Sequence, residues 1–174
     1  RVKLEWRMQK DLSGPGAIAD FGSHMLDIGD YLIRKQSGRI TEVNCMENTF
    51  IKERQVIGKE YMGEVTNGDV AVFSARTEMG TLLSYTASRI GGSHTVEVFG
   101  SGGYLGFSGD TPFQVTVQKK EIEGGYEPKK ELADVPKEMY MLDEKVPMTP
   151  FAVNFYLQNR KFIEAIKTGG DVGS

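Results

Sequence analysis

The chain contains one cysteine, Cys45, so no disulfide can close within it and a zinc–thiolate centre is excluded. No apolar run approaches the ~20 residues of a bilayer-spanning helix, and no secretory signal opens the sequence. Positive charge is not in excess: 21 Lys and Arg stand against 24 Asp and Glu, for a net charge of −3 and a pI near 5.5. This balance lacks the electrostatic footprint of nucleic-acid or anionic-membrane binding. Internal repeats and low-complexity tracts are absent as well. These absences lead to the expectation of a soluble protein of the reducing cytoplasm, bound neither to nucleic acid nor to membrane.

What is present fits a globular protein. A chain of 174 residues is long enough for one domain that buries roughly 70% of its unfolded surface. Val2, Leu4, Trp6 and Met8 alternate with Lys3, Glu5, Arg7 and Gln9, which predicts a strand with one wet face. Ser13-Gly14-Pro15-Gly16 ends that pattern. From about Ala17 to Gln36 the period is helical: Phe21, Met25, Ile28 and Leu32 form an apolar stripe, and Gly38 gives the stop. Strands are then expected at Val43 to Ile51, Asp69 to Thr77, Thr81 to Ser88, Thr95 to Phe99, Tyr104 to Phe107 and Phe113 to Val117. Glu78-Met79-Gly80 should form a hairpin turn, and so should Gly100-Ser101-Gly102-Gly103. Lys119 to Glu131 mixes both signs of charge and reads as a solvated loop, within a polar, irregular stretch from Glu121 to Pro147. A last helix opens at Thr149-Pro150, carries Phe151, Phe155, Phe162 and Ile166, and stops at Gly169-Gly170.

No helix-length pattern separates the strands, so parallel crossovers are not expected. The fold class is α+β: one mainly antiparallel, open-faced sheet with helices on one face. The other face must be polar or covered by a partner. Strands such as Ala71-Phe73-Ala75 and Leu83-Tyr85-Ala87 are expected to present apolar or aromatic residues there.

The first long helix carries a second stripe. Asp20, His24, Asp27 and Tyr31 are spaced four, three and four, and so line one ridge beside the apolar stripe. An Asp one turn before a His can hydrogen-bond the imidazole, fix its tautomer and make it a better base. On this pattern the groups stand at a cleft edge as acid–base machinery, or else form a polar flank that solubilises the helix. A His with two carboxylates also satisfies the donor types of a metal site, but one helix ridge rarely encloses an ion unaided.

The stretch Gly14-Pro15-Gly16-Ala17-Ile18-Ala19-Asp20-Phe21-Gly22-Ser23-His24-Met25-Leu26-Asp27 resembles the hallmark of the glucose–fructose oxidoreductase/inositol dehydrogenase/rhizopine-catabolism (Gfo/Idh/MocA) family. There a glycine-rich turn leads into a helix reading G-x-L-x-D-x-G-x-H-x-x-D; here Ile18 replaces Leu and Pro15 replaces the middle Gly of a common triple glycine. Trp6-Arg7, Asp69-Val70-Ala71, Val98-Phe99-Gly100-Ser101-Gly102-Gly103-Tyr104-Leu105 and Phe162-Ile163-Glu164-Ala165-Ile166-Lys167-Thr168-Gly169 resemble the family in the expected order.

The resemblance implies the substrate-side, C-terminal domain of a two-domain dehydrogenase acting on a secondary alcohol of a sugar, cyclitol or related polyol. Residues 1–174 would be that domain, truncated at both ends, in keeping with a chain that begins at Arg1 inside a strand-like pattern. The family's NAD(P)-binding Rossmann domain and its Glu-Lys-Pro motif have no counterpart here. NAD or NADP is therefore expected in the full-length protein, with no cofactor-binding and no metal-binding residues in this chain. By resemblance His24 is the catalytic base, and Asp20 orients it or binds a neighbouring hydroxyl. Asp27, Tyr31 and Trp6 are candidates for substrate contact, with solvation or core packing as their alternative roles. The resemblance also implies a homo-oligomer paired through the open sheet face.

Gly14-x-Gly16-x-x-Ala19 formally satisfies the dinucleotide fingerprint. The preceding segment alternates with charges, however, whereas a Rossmann first strand is buried on both faces. Two rivals of another class are a non-catalytic relative with a regulatory or interaction role and a metal-dependent hydrolase.

Overall fold

The computed structural model describes residues 2–119, 130–137 and 149–170. It contains two compact units, Arg1–Gly92 and Ser93–Gly173.

The first unit is built on an antiparallel sheet in the order β1-β4-β5, from β1 (Ile40–Asn48), β4 (Val70–Thr77) and β5 (Leu82–Ser88). The Glu78-Met79-Gly80 turn joins β4 to β5 as expected, with Phe73 opposite Tyr85 and Ala71 opposite Ala87. Two short strands, β2 (Glu53–Gln55) and β3 (Met62–Glu64), form a separate antiparallel pair. Neither carries a run long enough to register as a strand in the sequence.

One face of the larger sheet is covered by a helical segment that starts with a π turn, Ile18–Gly22, and continues as α2, Ser23–Ser37. Gly38 ends it at φ 74°, its N–H donating to the Arg34 carbonyl. Ala17, Ala71, Phe73 and Ala87 are buried between helix and sheet, packed by Ile18, Phe21, Met25, Leu26 and Tyr85. The Phe73 and Tyr85 rings stack at 4.6 Å. Gly29 lets the helix come this close, because a Cβ there would overlap the Tyr85 hydroxyl.

Two expectations are corrected here. Ala71, Phe73 and Ala75 lie beneath the helix and are buried, and Ala87 is buried with them. The uncovered face belongs to the alternate positions, among them Met46, Val72 and Leu82, with Ser74, Ser84 and Arg76. Pleating sends alternate residues to opposite faces, so the buried set fixes the exposed one. The apolar stripe of the helix is also displaced. Ile28 and Leu32 are exposed, and the covered side runs through Gly22, Met25, Leu26, Gly29 and Ile33. The buried face is thus rotated by roughly the 100° that one residue contributes to an α-helix. Phe21 and Met25 still pack on the core, but the closest approach to the sheet is made at Gly22, against Phe73, and at Gly29, against Tyr85, glycines that a count of apolar residues does not register.

The N-terminal segment is not the expected strand. Leu4 makes a single parallel bridge to Val56, a short 3₁₀ turn covers Trp6–Met8, and α1 spans Lys10–Ser13. Backbone bonds in this stretch close locally, Met8 N–H to the Glu5 carbonyl and Gln9 N–H to the Trp6 carbonyl. Leu4 and Met8, four apart, consequently face the same way into a small core with Val65 and Val56. Trp6 points outward and is 56% exposed.

The second unit holds a four-stranded antiparallel meander, β6 (Thr95–Gly100), β7 (Gly103–Ser108), β8 (Gln114–Lys119) and β9 (Glu131–Asp134), paired in chain order. The 100–103 turn closes the β6–β7 hairpin, with Gly100 opposite Gly103. β9 replaces part of the stretch expected to be irregular, whereas 120–129 and 138–148 lie outside the described residues. α3 spans Pro150–Thr168 as expected, with the Thr149 hydroxyl accepting from the Ala152 N–H and Gly169 closing it at φ 66°. Val153 and Ala165 are buried, whereas Phe155, Phe162 and Ile166 of the expected apolar stripe are exposed; the Phe151 side chain lies outside the described residues. The α+β, antiparallel and open character expected from the sequence holds, with the strands of the described residues divided among three sheets instead of one.

Candidate active site

The site is built at the mouth of α2. Gly16 adopts φ 38° and sits against the backbone of Gly68, where any Cβ would overlap the Gly68 carbonyl. The Ala17 N–H donates to that same carbonyl at 2.8 Å. The glycine-rich turn is therefore a close backbone crossing between the helix start and the loop before β4. Asp20 follows in the π turn and His24 in the first turn of α2.

Asp20 is held from across the fold. Arg89, directly after β5, has a side chain only 10% exposed and pairs with Asp20 Oδ2 through Nη2 at 3.1 Å. Its Nη1 donates to the Arg7 carbonyl at 2.7 Å and to Asn67 Oδ1 at 3.4 Å. The buried Asn67 completes the cluster: its Nδ2 lies within hydrogen-bond distance of the Arg7 carbonyl (2.9 Å), Ser13 Oγ (3.0 Å) and the Gly14 carbonyl (3.1 Å). Two polar side chains thus tie together the Trp6–Arg7 segment, the glycine turn and Asp20. Close by, the buried Asp69 carboxylate accepts the Phe50 and Ile51 backbone N–H groups at 2.9 and 2.8 Å. It anchors the chain beyond β1 to the start of β4.

The expected hydrogen bond from the His24 imidazole to the Asp20 carboxylate is not made; the carboxylate accepts from Arg89. A π turn moves residues four apart out of the alignment they have in an α-helix, and a guanidinium is a strong charged donor. His24 is exposed and has no hydrogen-bond partner among the described residues. The rotation of the helix carries the ridge with it: His24, Asp27 and Tyr31 lie on the side away from the sheet, all exposed, instead of flanking the buried face. Asp27, at the edge of that outer side, borders an open depression that reaches Ile40 and Val43 of β1, with Asp30, Arg34 and Arg39 as its other charged residues. Trp6 carries the Arg7 guanidinium over its ring at 5.1 Å and fills no core.

Arg89 and Asn67 escaped the sequence reading because they stand 69 and 47 positions from Asp20, in no local pattern. The available signal was a charge directly after the strand end that carries the buried Ala87, where a cation requires a partner.

Among the described residues neither a metal nor a dinucleotide finds a matching cradle. Among the described residues no three His, Cys, Asp or Glu side chains gather as metal ligands would. The 14–19 glycine turn has its Ala17 N–H committed to Gly68 and its Gly16 pressed against backbone, so it does not offer the open amides of a pyrophosphate-binding turn. Among the described residues the only parallel pairing is the Leu4–Val56 bridge, so no parallel β–α–β unit is present.

Residues 2–106 match the GFO/IDH/MocA C-terminal domain. The chain belongs to this family. Levoglucosan dehydrogenase of Pseudarthrobacter phenanthrenivorans (strain DSM 18606 / JCM 16027 / LMG 23796 / Sphe3) is 37% identical over 68 residues, covering 38% of this chain and 16% of that protein. Among solved structures, an oxidoreductase domain protein from Kribbella flavida is similar with a TM-score of 0.79 at 24% identity, over 98% of this chain and 47% of its own. A levoglucosan dehydrogenase in complex with NADH and levoglucosan is similar with a TM-score of 0.77 at 22% identity, over 98% of this chain and 46% of its own. The GFO/IDH/MocA chain described here spans less than half the length of these relatives. At these identities the structural likeness speaks for the fold.

Proposed function

We propose that this chain is the substrate-side domain of an NAD(P)-dependent oxidoreductase that oxidises a secondary alcohol of a sugar, cyclitol or related polyol. His24 acts as the base that takes the hydroxyl proton, and Asp20 fixes a neighbouring hydroxyl of the substrate. Asp27, Tyr31 and Trp6 stand as further substrate contacts.

The observation that carries this reading is the state of His24. It is exposed and without a hydrogen-bond partner among the described residues, yet it stands one turn after an Asp20 fixed by a mostly buried arginine. His24 is not used in packing or hydrogen bonding within the described residues, which leaves its imidazole free to reach a substrate proton. The complex of a similar protein with NADH and levoglucosan supports both the polyol class and the nucleotide. The nucleotide is assigned to a part of the polypeptide other than the 14–19 turn.

The test is turnover. The full-length polypeptide supplied with NAD⁺ or NADP⁺ should reduce it in the presence of at least one member of a panel of cyclitols, aldoses and anhydrosugars. Binding of the nucleotide with no turnover across the panel would contradict the reading. Residues 1–174 alone should bind NADH no tighter than ~1 mM by calorimetry; micromolar binding would contradict the placement of the nucleotide elsewhere.

Assembly is proposed as a homo-oligomer formed through the uncovered face of the β1-β4-β5 sheet, where Met46, Val72 and Leu82 are exposed. Light scattering checks this: a monomer at tens of micromolar would contradict it, and Val72→Glu should dissociate the assembly.

A further inference from the structure

We infer that Arg89 is a positioning residue for Asp20, and that through Asp20 it sets which way the substrate is held. The inference rests on the proposed role of Asp20.

Arg89 has the properties required of such a group. Its side chain is 10% exposed, while that of Asp20 is 39% exposed. The arginine therefore faces the interior and the carboxylate lies between it and the surface. Its guanidinium is shared: Nη2 goes to Asp20 Oδ2, and Nη1 to the Arg7 carbonyl and Asn67 Oδ1. A planar fork that reaches two anchored backbone and side-chain acceptors has little rotational freedom left, so the carboxylate paired with it is fixed in direction as well as charge. Asn67 reinforces the anchor by donating to the same Arg7 carbonyl. Only one carboxylate oxygen of Asp20 is engaged; Oδ1 has no hydrogen-bond partner among the described residues. A carboxylate pinned by one oxygen and open at the other suits accepting a hydrogen bond from a polyol hydroxyl without itself having to be ordered on binding.

A lysine could supply the charge but not the fork, so Arg89→Lys separates charge from geometry. Arg89→Gln removes the charge and keeps much of the side-chain volume. The double variant Arg89→Gln/Asp20→Asn closes a thermodynamic cycle.

In the full-length enzyme, with the polyol it turns over, Arg89→Gln should lower kcat/KM by on the order of 10- to 100-fold. Arg89→Lys should fall between wild type and Arg89→Gln. In the Asp20→Asn background, Arg89→Gln should cost little or nothing further, and the Kd for NADH should stay unchanged throughout. Tm is followed for every variant, and Arg89→Lys serves if Arg89→Gln does not fold. Additive losses in the cycle, or normal kcat/KM in a folded Arg89 variant when Asp20→Asn is impaired, would overturn the positioning role. Normal kcat/KM in Asp20→Asn would instead overturn the reading of Asp20 itself, and the inference with it.

Discussion

The two sides of α2 carry opposite kinds of order. On the sheet side, Gly22, Met25, Leu26 and Gly29 meet Phe73 and Tyr85, and every position is constrained by what it touches. On the far side, His24, Asp27 and Tyr31 stand exposed, and Tyr31 is 62% accessible. Asp20 lies between these regimes, gripped by an arginine on one oxygen. The side that makes the fold has little left to offer a ligand, and the side that can meet a ligand contributes little to the fold. Substitutions on the two faces should therefore separate cleanly into losses of stability and losses of activity.

The contrast breaks most visibly at Phe73, the largest side chain in the buried set around Ala17, Ala71 and Ala87. Phe73→Ala should destabilise by about 3–5 kcal/mol, the usual range for emptying such a site, as read by denaturant unfolding. A smaller effect follows at Gly29. Gly29→Ala presses a methyl into the Tyr85 hydroxyl and should cost roughly 1–3 kcal/mol, the range for overpacking.

Tyr85 sharpens the contrast in the opposite direction. Its hydroxyl is buried with no hydrogen-bond partner among the described residues, and burial, followed by the Asp30 carboxylate, raises its pKa above the ordinary 10.0. Tyr85→Phe should raise stability by about 1 kcal/mol, because an unsatisfied buried polar group is removed. The pH dependence has a definite sign. Above pH 10 the unfolded tyrosine begins to lose its proton while the folded one keeps it, so the native state binds more protons and stability falls as pH rises toward the folded pKa. Wild type and Tyr85→Phe should diverge in chemical denaturation between pH 9 and 11, with the wild type losing more. The smallest effect is expected on the outer face: Tyr31→Ala should change stability by no more than about 0.5 kcal/mol.

Much of this was legible in the sequence. The helix from the glycine turn to Gly38, the β4–β5 hairpin, the 100–103 turn and α3 all rest on short-range signals: periodicity, glycine at positive φ, and proline or threonine at a helix start. The misreadings share a cause in long-range contacts. Period two over residues 2–8 predicted a strand, but no partner strand runs alongside it beyond Leu4, and the backbone closed into turns. The helix meets the sheet through Gly22 and Gly29 instead of Ile28 and Leu32, which puts His24 on the outer face and not at the expected cleft edge. Asp20 found its partner 69 residues away at Arg89, where a local reading had paired it with His24. The identity of the candidate residues could be read from the motif; their partners could not.

The outer face of α2 is proposed to serve chemistry and not stability, and His24 tests this most directly. In the full-length enzyme His24→Ala should lower kcat by roughly 10²–10⁴-fold, the range for one acid–base group, while leaving Tm and the Kd for NADH unchanged. A near-normal kcat accompanied by a lowered Tm would contradict the account and return His24 to the fold.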